Sequence, residues 1–186
     1  MSSSKDTGDV VLSLLAATSL LEFLDLQQLN CLNESAEHPF QSIVASKKRN
    51  ATSAFLQSDA DEQLLLNIAF NQAVRVRSIV IQSNELAAAP KKLKLVVNRS
   101  NVGFEELEDA DEPDVAQVLE LSEEEVKEGK QVALRFVRFQ KVNSLHIFVV
   151  SNHGGEDETR IDKIDVFGVP VETTKDLSGL HQEHDH

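Results

Sequence analysis

Three carboxylates, Asp59, Asp61 and Glu62, lie within four positions of one another in the stretch SDADEQLLLNIAF. Carboxylates at this spacing can begin a calcium loop, but Leu64 stands where such a loop needs glycine, and the closing glutamate is absent. A catalytic acid–base pair would need further groups to separate its two pKa values, and none can be identified. We therefore expect a loop that begins a core strand, in which Ser58 and Asp59 hydrogen-bond the backbone. Asp61 and Glu62 are candidate contacts to a basic partner.

A cysteine and several histidines are the other residues that could carry chemistry. Cys31 and His38, in NCLNESAEHPF, could form a nucleophile and its base, although a lone cysteine is more often a small buried hydrophobe. His181, His184 and His186 alternate with polar and acidic residues in LHQEHDH, where they could converge on one metal ion. The alternative for these three is a mobile acidic tail. The sequence has no Gly-rich phosphate loop, nucleophile elbow or HExxH-type pair, so we expect neither an enzyme nor a bound cofactor.

Composition and charge narrow the class of partner. The 186 residues carry a formal net charge of -13 and include neither Trp nor Tyr. Nucleic acids and anionic membranes attract basic surfaces, so the acidic charge of this chain disfavours both as partners. The lack of Trp and Tyr also disfavours single-stranded nucleic acid, whose bases stack on aromatic side chains. The expected partner is a protein surface, and the chain itself is expected to be a monomer.

The single cysteine indicates the compartment. One thiol cannot form an internal disulfide, which fits a reducing environment, and we expect a protein of the cytoplasm and nucleus. The early apolar run VVLSLLAATSLLEFL is not a signal peptide, because Asp6 and Asp9 stand where the basic region should be. The run is too short for a membrane span and is interrupted by Glu22 and Asp25.

Two periodicities predict the elements that position these residues. From Val10 to Leu29 the apolar residues have helical spacing, which predicts one short amphipathic N-terminal helix. From Leu64 to Phe70 the period is two, which predicts a strand with one buried face. The apolar parity then changes between Val76 and Ile79, as a bulge or a strand buried on both faces would produce. Further strand-like runs are Lys92–Asn98, Val115–Leu121, Ala133–Gln140, Ser144–Val150 and Arg160–Val169. Short strands separated by turn residues predict an all-β antiparallel sandwich or barrel.

Acidic residues concentrate in the segment Glu105–Glu128, which holds twelve of the 31 carboxylates. Such a segment cannot pack inside a protein, so we expect it to form loop surface on both sides of the strand VAQVLEL. Glu123, Glu124 and Glu125 are further candidate contacts to a basic partner. Basic residues on neighbouring strand runs are expected to form a solvated surface with some ion pairs: Lys91, Lys92, Lys94, Arg99, Lys130, Arg135, Arg138 and Lys141.

Ordered strings of the sequence resemble the PITH domain, the C-terminal module of proteasome-interacting thioredoxin-like proteins. They are NCLNESAEHPF, FLQSDADEQLLLNIAFNQAVRVRSI, PKKLKLVVN, FEE, LRFVRFQKVNSLHIFVVSN, TRIDKIDVFG and VPVE. We accordingly expect a flexible leader or linker at residues 1–9, a PITH domain at 10–175 and a flexible acidic, His-containing tail at 176–186. The family's redox CxxC lies in a preceding thioredoxin domain, and this sequence has none, so no reductase activity is expected. The linker-like MSSSKDTGD favours a domain excised from a longer protein over a stand-alone family member.

The resemblance implies a jelly-roll β-sandwich, similar to galactose-binding modules, that docks an N-terminal thioredoxin domain onto the proteasome regulatory particle. The lid of that particle carries a zinc-dependent deubiquitinase. His184 and His186 could then reach from the tail, with His186 as the candidate ligand of the partner's zinc. Two alternatives stay open. One is a small-ligand site for sugars in the loop Asn152–Arg160, which the lack of Trp and Tyr disfavours, and the other is a metal-dependent hydrolase.

Overall fold

The computed structural model describes residues 17–171, so the expected leader, the start of the expected N-terminal helix and the His-containing tail lie outside the described residues. The described strands are β1 (Thr18–Ser19), β2 (Asn30–Leu32), β3 (Leu56–Gln57), β4 (Leu64–Gln82), β5 (Lys92–Val97), β6 (Gln117–Glu120), β7 (Val132–Ala133), β8 (Val142–Val149), β9 (Arg160–Ile161) and β10 (Lys163–Pro170). The short helices are α1 (Gln41–Val44), α2 (Phe104–Glu108) and α3 (Glu123–Glu128), and 3-10 turns lie at Leu21–Phe23, Leu86–Ala88 and Phe136–Phe139. Within residues 17–171, no helix has the length and apolar character needed to cross a membrane.

Most of the strands form one curled antiparallel sheet in the order β1-β10-β4-β8-β5-β6, with β2 and β7 also paired to β4. The long strand β4 belongs to both halves of this sheet. Its first half pairs with β2 and β8, and its second half pairs with β10 and β7. The β8 pairing is irregular between Ala69 and Val74, where β4 passes from one half to the other. The result is the predicted all-β jelly-roll sandwich, with its core between the two halves.

The alternation along β4 places its apolar side chains in this core. The inward residues of the first half are all buried, as a period of two predicts: Leu64, Leu66, Ile68 and Phe70. In the second half, the partners of β10 pass from Val76 directly to Ser78, so Arg77 is the extra residue of a β-bulge. The bulge changes the buried parity, since both Val76 and Ile79 lie in the core. Both alternatives weighed from the sequence are present, because the strand has this bulge and its next four residues, 78–81, are buried on both faces.

Both ends of β4 lie at the same end of the sandwich. Thr159 Oγ1 donates to Glu62 O (2.6 Å) just before the strand, and Asn84 N donates to Asp162 Oδ1 (2.8 Å) just after it. The chain from Thr159 to Asp162 can span only about 10 Å. A straight strand of 19 residues would span about 60 Å, so β4 must bend back on itself. We call this end, built by residues 150–162 and the chain on either side of β4, the loop end.

The helix predicted from Val10 to Leu29 is wrong over its described part. β1 pairs with β10, and Leu20 N donates to Val166 O (2.7 Å). Backbone groups that pair with a neighbouring strand cannot also form a helix, and only the 3-10 turn Leu21–Phe23 remains. Leu24 then forms a bridge to β4. The apolar spacing therefore reports contacts with the core and not a long helix.

The strand predicted at Ala133–Gln140 is also wrong beyond its first residue. β7 ends at Ala133, and the chain forms the 3-10 turn Phe136–Phe139. This turn carries the chain from β7, which pairs with the second half of β4, to β8, which pairs with the first half. Here the turn, and not a continuous strand, makes the crossing.

The acidic segment Glu105–Glu128 forms two short helices around β6, and not loops alone. Its carboxylates lie at the surface, as expected, and only Glu125 among them is partly buried. Each helix contributes one apolar side chain to the interior, Leu107 from α2 and Val126 from α3. These two residues fix the helices to the sandwich while their acidic neighbours face solvent.

Candidate interaction surface

Asp61 and Glu62 lie at the loop end, in the loop that enters β4. Asp61 Oδ1 accepts from Gln63 N (3.0 Å) and from Asn33 Nδ2 (2.9 Å). This arrangement is an Asx turn, in which the carboxylate takes the place of a backbone carbonyl. The Asp61 side chain is exposed beside these contacts. Asp61 therefore shapes the loop and can also present negative charge at its rim, next to Glu62.

The other predicted acidic contacts begin α3. Ser122 Oγ accepts from Glu125 N (3.1 Å), and Glu125 Oε1 accepts from Ser122 N (2.8 Å), which together form a capping box. Lys130 Nζ lies 2.7 Å from Glu124 Oε1, and this hydrogen bond lowers the pKa of Glu124 and raises that of Lys130. Exposed pairs of this kind add little stability. Glu123 is the member of the set whose carboxylate bonds to no other described residue.

These two acidic sets share the loop end but are not in contact. β4 begins there and β6 ends there, with β8 and β5 between them in the sheet. At a strand spacing of about 4.8 Å, the two sets lie roughly 14 Å apart across the sheet. The structure thus presents two separate acidic rims on one end of the sandwich.

Cys31 and His38 do not form a nucleophile and base. Burial raises the pKa of the Cys31 thiol, whose sulfur lies 3.7 Å from Leu32 O. His38 instead stacks on Phe55, with 4.0 Å between the ring centroids. A thiol that stays protonated is a poor nucleophile, so Cys31 serves as a core residue.

A metal site is not formed by the described part of the chain. Within residues 17–171, no three His, Cys, Asp or Glu side chains are grouped so that they could hold a metal ion. The metal-dependent hydrolase considered from the sequence therefore has no ligand set in this region. His181, His184 and His186 lie outside the described residues.

The loop expected to hold a sugar, Asn152–Arg160, lines a cleft of about 450 Å³ at the loop end. Asn152 organises this loop, because its Oδ1 accepts from Glu156 N (2.8 Å) and its Nδ2 donates to Glu156 O (3.0 Å). The Arg160 guanidinium stacks 3.7 Å above the Phe55 ring. Four carboxylates line the cleft: Glu85, Glu156, Asp157 and Glu158. No aromatic ring is among its lining residues, so the cleft lacks the flat apolar face on which sugar rings stack.

A larger cleft of about 920 Å³ lies on the outer face of β2, β4 and β8. Its floor carries a row of polar side chains on neighbouring strands. Asn67 Nδ2 donates to Asn30 Oδ1 (2.8 Å), which leaves Asn67 Oδ1 to accept from His146 Nδ1 (2.7 Å). His146 Nε2 then accepts from the Ser144 hydroxyl (3.1 Å). His146 is only 6% exposed, and burial lowers its pKa, so the imidazole is neutral at pH 7.

The row Ser144, His146 and Asn67 has the hydrogen-bond order of a hydrolytic triad, but the backbone beside it is committed elsewhere. Hydrolysis of an acyl group needs N–H donors directed at the substrate oxygen. Asn143 N and Ser144 N both donate to Asn98 Oδ1, at 2.8 and 3.4 Å. The N–H groups nearest the hydroxyl are thus occupied, and the row serves to satisfy buried polar groups.

Phe136 and Val137 are large apolar side chains that remain exposed, at 53% and 76%. They lie in the 3-10 turn between β7 and β8. The Arg77 guanidinium covers the Phe136 ring, 4.6 Å from its centroid. The turn is held in place because Leu134 N donates to Arg77 O (2.9 Å) and Phe139 is fully buried. Exposed apolar side chains on a fixed turn are typical of protein contact surfaces, and the sequence analysis gave these two residues no role.

Three arginines lie on the elements that form and cover this apolar pair. Arg75 and Arg77 lie two positions apart on β4, and burial together with the charge of Arg75 lowers the pKa of Arg77. Arg138 lies in the turn itself. Within residues 17–171, none of the three forms an ion pair with a carboxylate. The Nε atom of Arg75 is shielded from solvent and has no described hydrogen-bond partner. We call Phe136, Val137, Arg75, Arg77 and Arg138 the Phe136 surface.

An acidic strap, residues 108–114, braces the turn from one side. Arg135 forms an ion pair with Glu112, and Arg138 Nη2 donates to Pro113 O (3.1 Å). The Arg138 bond is to a neutral carbonyl, so its positive charge is not neutralised. The strap therefore fixes the turn, and none of its carboxylates forms an ion pair with an arginine of the Phe136 surface.

Lys94 anchors the start of this strap and is not the solvated lysine expected from the sequence. Its side chain is buried, with the residue only 5% exposed. Lys94 Nζ donates to Leu107 O (2.9 Å), Glu108 O (2.9 Å) and Ala110 O (2.7 Å), at the C-terminal end of α2. A cation at this end of a helix satisfies carbonyls that have no partner within the helix. Other members of the basic set form surface ion pairs, as expected: Arg99 with Glu106, Lys130 with Glu124 and Arg135 with Glu112.

Comparison with known proteins identifies the family. Residues 13–185 match the family model described as the PITH domain. This chain belongs to the PITH domain family. Thioredoxin-like protein 1 of Schizosaccharomyces pombe is 40% identical over 179 residues, which cover 91% of this chain and 59% of that protein. PITH domain-containing protein 1 of Homo sapiens is 33% identical over 146 residues, which cover 78% of this chain and 66% of that protein. The matched part of the PITH chain thus spans less than two thirds of either relative.

Solved structures confirm the fold. A family 32 carbohydrate-binding module of Clostridium perfringens in complex with galactose has a TM-score of 0.57 and 12% identity, covering 81% of this chain and 98% of the module. A chain with two such modules from the same organism, in complex with GalNAc, has a TM-score of 0.58 and 8% identity. The match covers 86% of this chain and 38% of that chain. These likenesses establish a galactose-binding-like jelly roll. At such low identity they concern the fold alone.

Proposed function

We propose that this PITH domain is a non-catalytic interaction module that docks a thioredoxin-like protein onto the proteasome regulatory particle. The observation that carries the interaction role is the exposed pair Phe136 and Val137 on a braced turn. The match to thioredoxin-like protein 1 covers 59% of that protein, and its name supports a thioredoxin-like domain in the remainder. The choice of the proteasome rests on the family resemblance of the ordered sequence strings. This partner places the domain in the cytoplasm and nucleus.

The energy of the apolar pair is sufficient to matter for docking. Burying the exposed parts of Phe136 and Val137 would contribute about 2 kcal/mol each by the area that leaves water. A few large side chains near the centre of an interface usually carry most of its binding energy. We therefore expect the Phe136→Ala, Val137→Ala double variant to lose most of its affinity for the particle.

Capture of purified regulatory particles by the immobilised domain tests the proposal. Intact particles should be retained without any thioredoxin domain attached. The control is Leu32→Ala, which removes an exposed apolar side chain from the outer face of β2. A domain that captures particles only when joined to a redox domain would refute docking by this module. Equal capture by the double variant and the control would refute the role of the apolar pair.

The two acidic rims at the loop end are proposed as additional contacts to basic surface on the partner. They comprise Asp61 and Glu62 in the β4 entry loop and Glu123, Glu124 and Glu125 at the start of α3. Exposed charges accelerate association and are screened beyond a Debye length of about 8 Å at physiological ionic strength. Capture should therefore weaken as salt is raised.

A matched pair of variants tests this electrostatic contribution. Changing Glu123 and Glu124 to Gln should reduce the salt dependence of capture. The control changes Glu22 and Glu105, exposed acids on other elements, in the same way. If both double variants keep the salt dependence of the unaltered domain, the α3 rim is not part of the contact.

The tail is proposed to reach the zinc-dependent deubiquitinase of the particle. His184 and His186 lie outside the described residues, so this role rests on the resemblance and on ligand chemistry. A neutral imidazole and a terminal carboxylate are both good zinc ligands, with His186 the candidate to fill the open position. Deleting residues 183–186 should leave the melting temperature unchanged while reducing capture or relieving inhibition of the deubiquitinase. Unchanged capture and unchanged deubiquitinase activity would exclude the tail from the contact.

A further inference from the structure

The Phe136 surface combines two kinds of chemistry, and together they restrict what can bind it. Phe136 and Val137 offer apolar area, the Arg77 guanidinium covers the Phe136 ring, Arg138 lies in the same turn, and Arg75 is close enough to Arg77 for its charge to act on it. An apolar partner alone would bury these cations without pairing them, which is strongly unfavourable. A fitting partner must therefore supply both apolar side chains and negative charge.

The described chain leaves this positive charge unneutralised although it has many acids. Its formal net charge is -13, yet no described carboxylate pairs with Arg75, Arg77 or Arg138. Guanidinium groups pair with carboxylates through two parallel hydrogen bonds when both nitrogens are available.

The neighbouring strap shows that an acidic peptide segment fits against this turn. Glu112 in the strap pairs with Arg135, and Pro113 O accepts from Arg138. The 3-10 turn therefore already contacts a carboxylate and a backbone carbonyl from a folded turn of an acidic segment. Long polyanions such as RNA, and anionic membranes, would also approach the acidic rims and meet the strong negative charge of the whole chain. A short acidic segment can place its charges beside the arginines without extending to the acidic rims of the loop end.

We propose that the Phe136 surface binds an acidic protein segment that also carries apolar side chains. The inference rests on the proposed docking function, and it places this segment on a protein subunit of the regulatory particle. The apolar side chains cover Phe136 and Val137, and the flanking carboxylates pair with Arg75, Arg77 and Arg138.

Opposite charges placed at the same exposed position provide the first test. Val137→Asp and Val137→Lys both remove the apolar contact, and Val137 is exposed enough that both variants should keep the melting temperature of the unaltered domain. An acidic partner would repel the aspartate of Val137→Asp and attract the lysine of Val137→Lys. Val137→Lys should therefore bind purified regulatory particles about tenfold more tightly than Val137→Asp. This difference in affinity should be smaller at high salt. Lys91→Glu, which changes charge at the loop end, is the control and should bind more tightly than Val137→Asp. Equal binding by the two Val137 variants, or tighter binding by Val137→Asp, would overturn the inference.

A photo-crosslinking amino acid at position 137 identifies the bound segment directly. In the complex with purified particles, the crosslinked peptide should carry net negative charge and apolar residues within about ten positions of the crosslink. A crosslink to a neutral or basic segment, to a second copy of the domain, to this chain's own tail, to RNA or to lipid would overturn the inference. Failure of the unaltered domain to capture particles would instead refute the proposed docking function.

Discussion

Replacing Lys94 by Met tests whether one buried cation holds the segment that braces the Phe136 surface. Methionine keeps most of the volume of the lysine stem but removes its three donors. Lys94 Nζ donates to Leu107 O, Glu108 O and Ala110 O at 2.7–2.9 Å. Leu107 O also accepts from Ala110 N (3.2 Å), so it retains a partner in the variant. Glu108 O and Ala110 O lose the donor that the described structure gives them.

The expected loss of stability follows from these two carbonyls. A buried acceptor left without a donor costs about 1–3 kcal/mol, and both sites lie partly within reach of water. The variant no longer buries an ammonium group, which offsets part of the loss. We therefore expect the free energy of unfolding to fall by about 2–4 kcal/mol.

Urea unfolding followed by far-UV circular dichroism measures this change, since the chain has no Trp or Tyr for fluorescence. With a urea m-value of about 2 kcal/mol/M, the midpoint should fall by about 1–2 M. Lys91→Met, at an exposed position just before β5, is the control and should leave the midpoint unchanged. Amide exchange in residues 104–114 should accelerate in the Lys94 variant. A midpoint within about 0.3 M of the unaltered domain would show that water replaces the lysine donors and would refute the anchoring role.

Three further outcomes follow from individual environments. Burial lowers the pKa of His146 below the 6.5 of an exposed histidine, so the unfolded state binds its proton first and stability should fall as pH drops through 6.5. The difference in melting temperature between pH 7.5 and 5.5 should shrink in His146→Gln. Cys31, whose thiol pKa is raised by burial, should react with an alkylating reagent only after denaturant is added; rapid labelling of the folded domain would contradict its core placement. Gly168→Ala should lower the unfolding free energy by more than about 2 kcal/mol, because an added Cβ would lie 1.8 Å from Arg75 O. Gly103→Ala, with open space around the site, is the matched control.

Local patterns predicted the strands whose side chains alternate between core and solvent. The first half of β4 follows from period two, the bulge at Arg77 from the change of apolar parity, and the segments that became β5 and β8 from their strand-like apolar runs. Side-chain hydrogen bonds to the backbone in the loop before β4 were also predicted. The residues differ from those expected: Ser58 Oγ accepts from Thr159 N (2.8 Å) in a distant part of the chain and not from its own loop, and the carboxylate that closes the Asx turn is that of Asp61 and not Asp59.

Features that depend on distant parts of the chain could not be predicted in this way. The N-terminal helix fails because residues near Leu20 pair with β10, about 145 positions later in the chain. Lys94 resembled any strand lysine, since its acceptors lie 13–16 positions later, at and just after the end of α2, and the local pattern around Lys94 does not report them. Phe136 fits the alternation of a strand, and only the crossing between the two halves of the sheet turns it outward. The exposed apolar surface could therefore not be predicted from the sequence.

The contacts from Lys94 to Phe136 suggest why the surface can bind although it is small. Lys94 fixes the end of α2, the strap that follows contributes Glu112 and Pro113, and these residues hold the turn that carries Phe136. A surface already fixed in one conformation loses less entropy on binding than a mobile loop does. Lys94→Met should therefore weaken capture of regulatory particles even though Lys94 lies outside the surface. The loss of affinity caused by Lys94→Met should be smaller when Phe136 is already Ala, because the surface then contributes little binding energy. A double-mutant cycle on binding measures this coupling, and strictly additive effects would mean that the strap stabilises the fold without organising the surface.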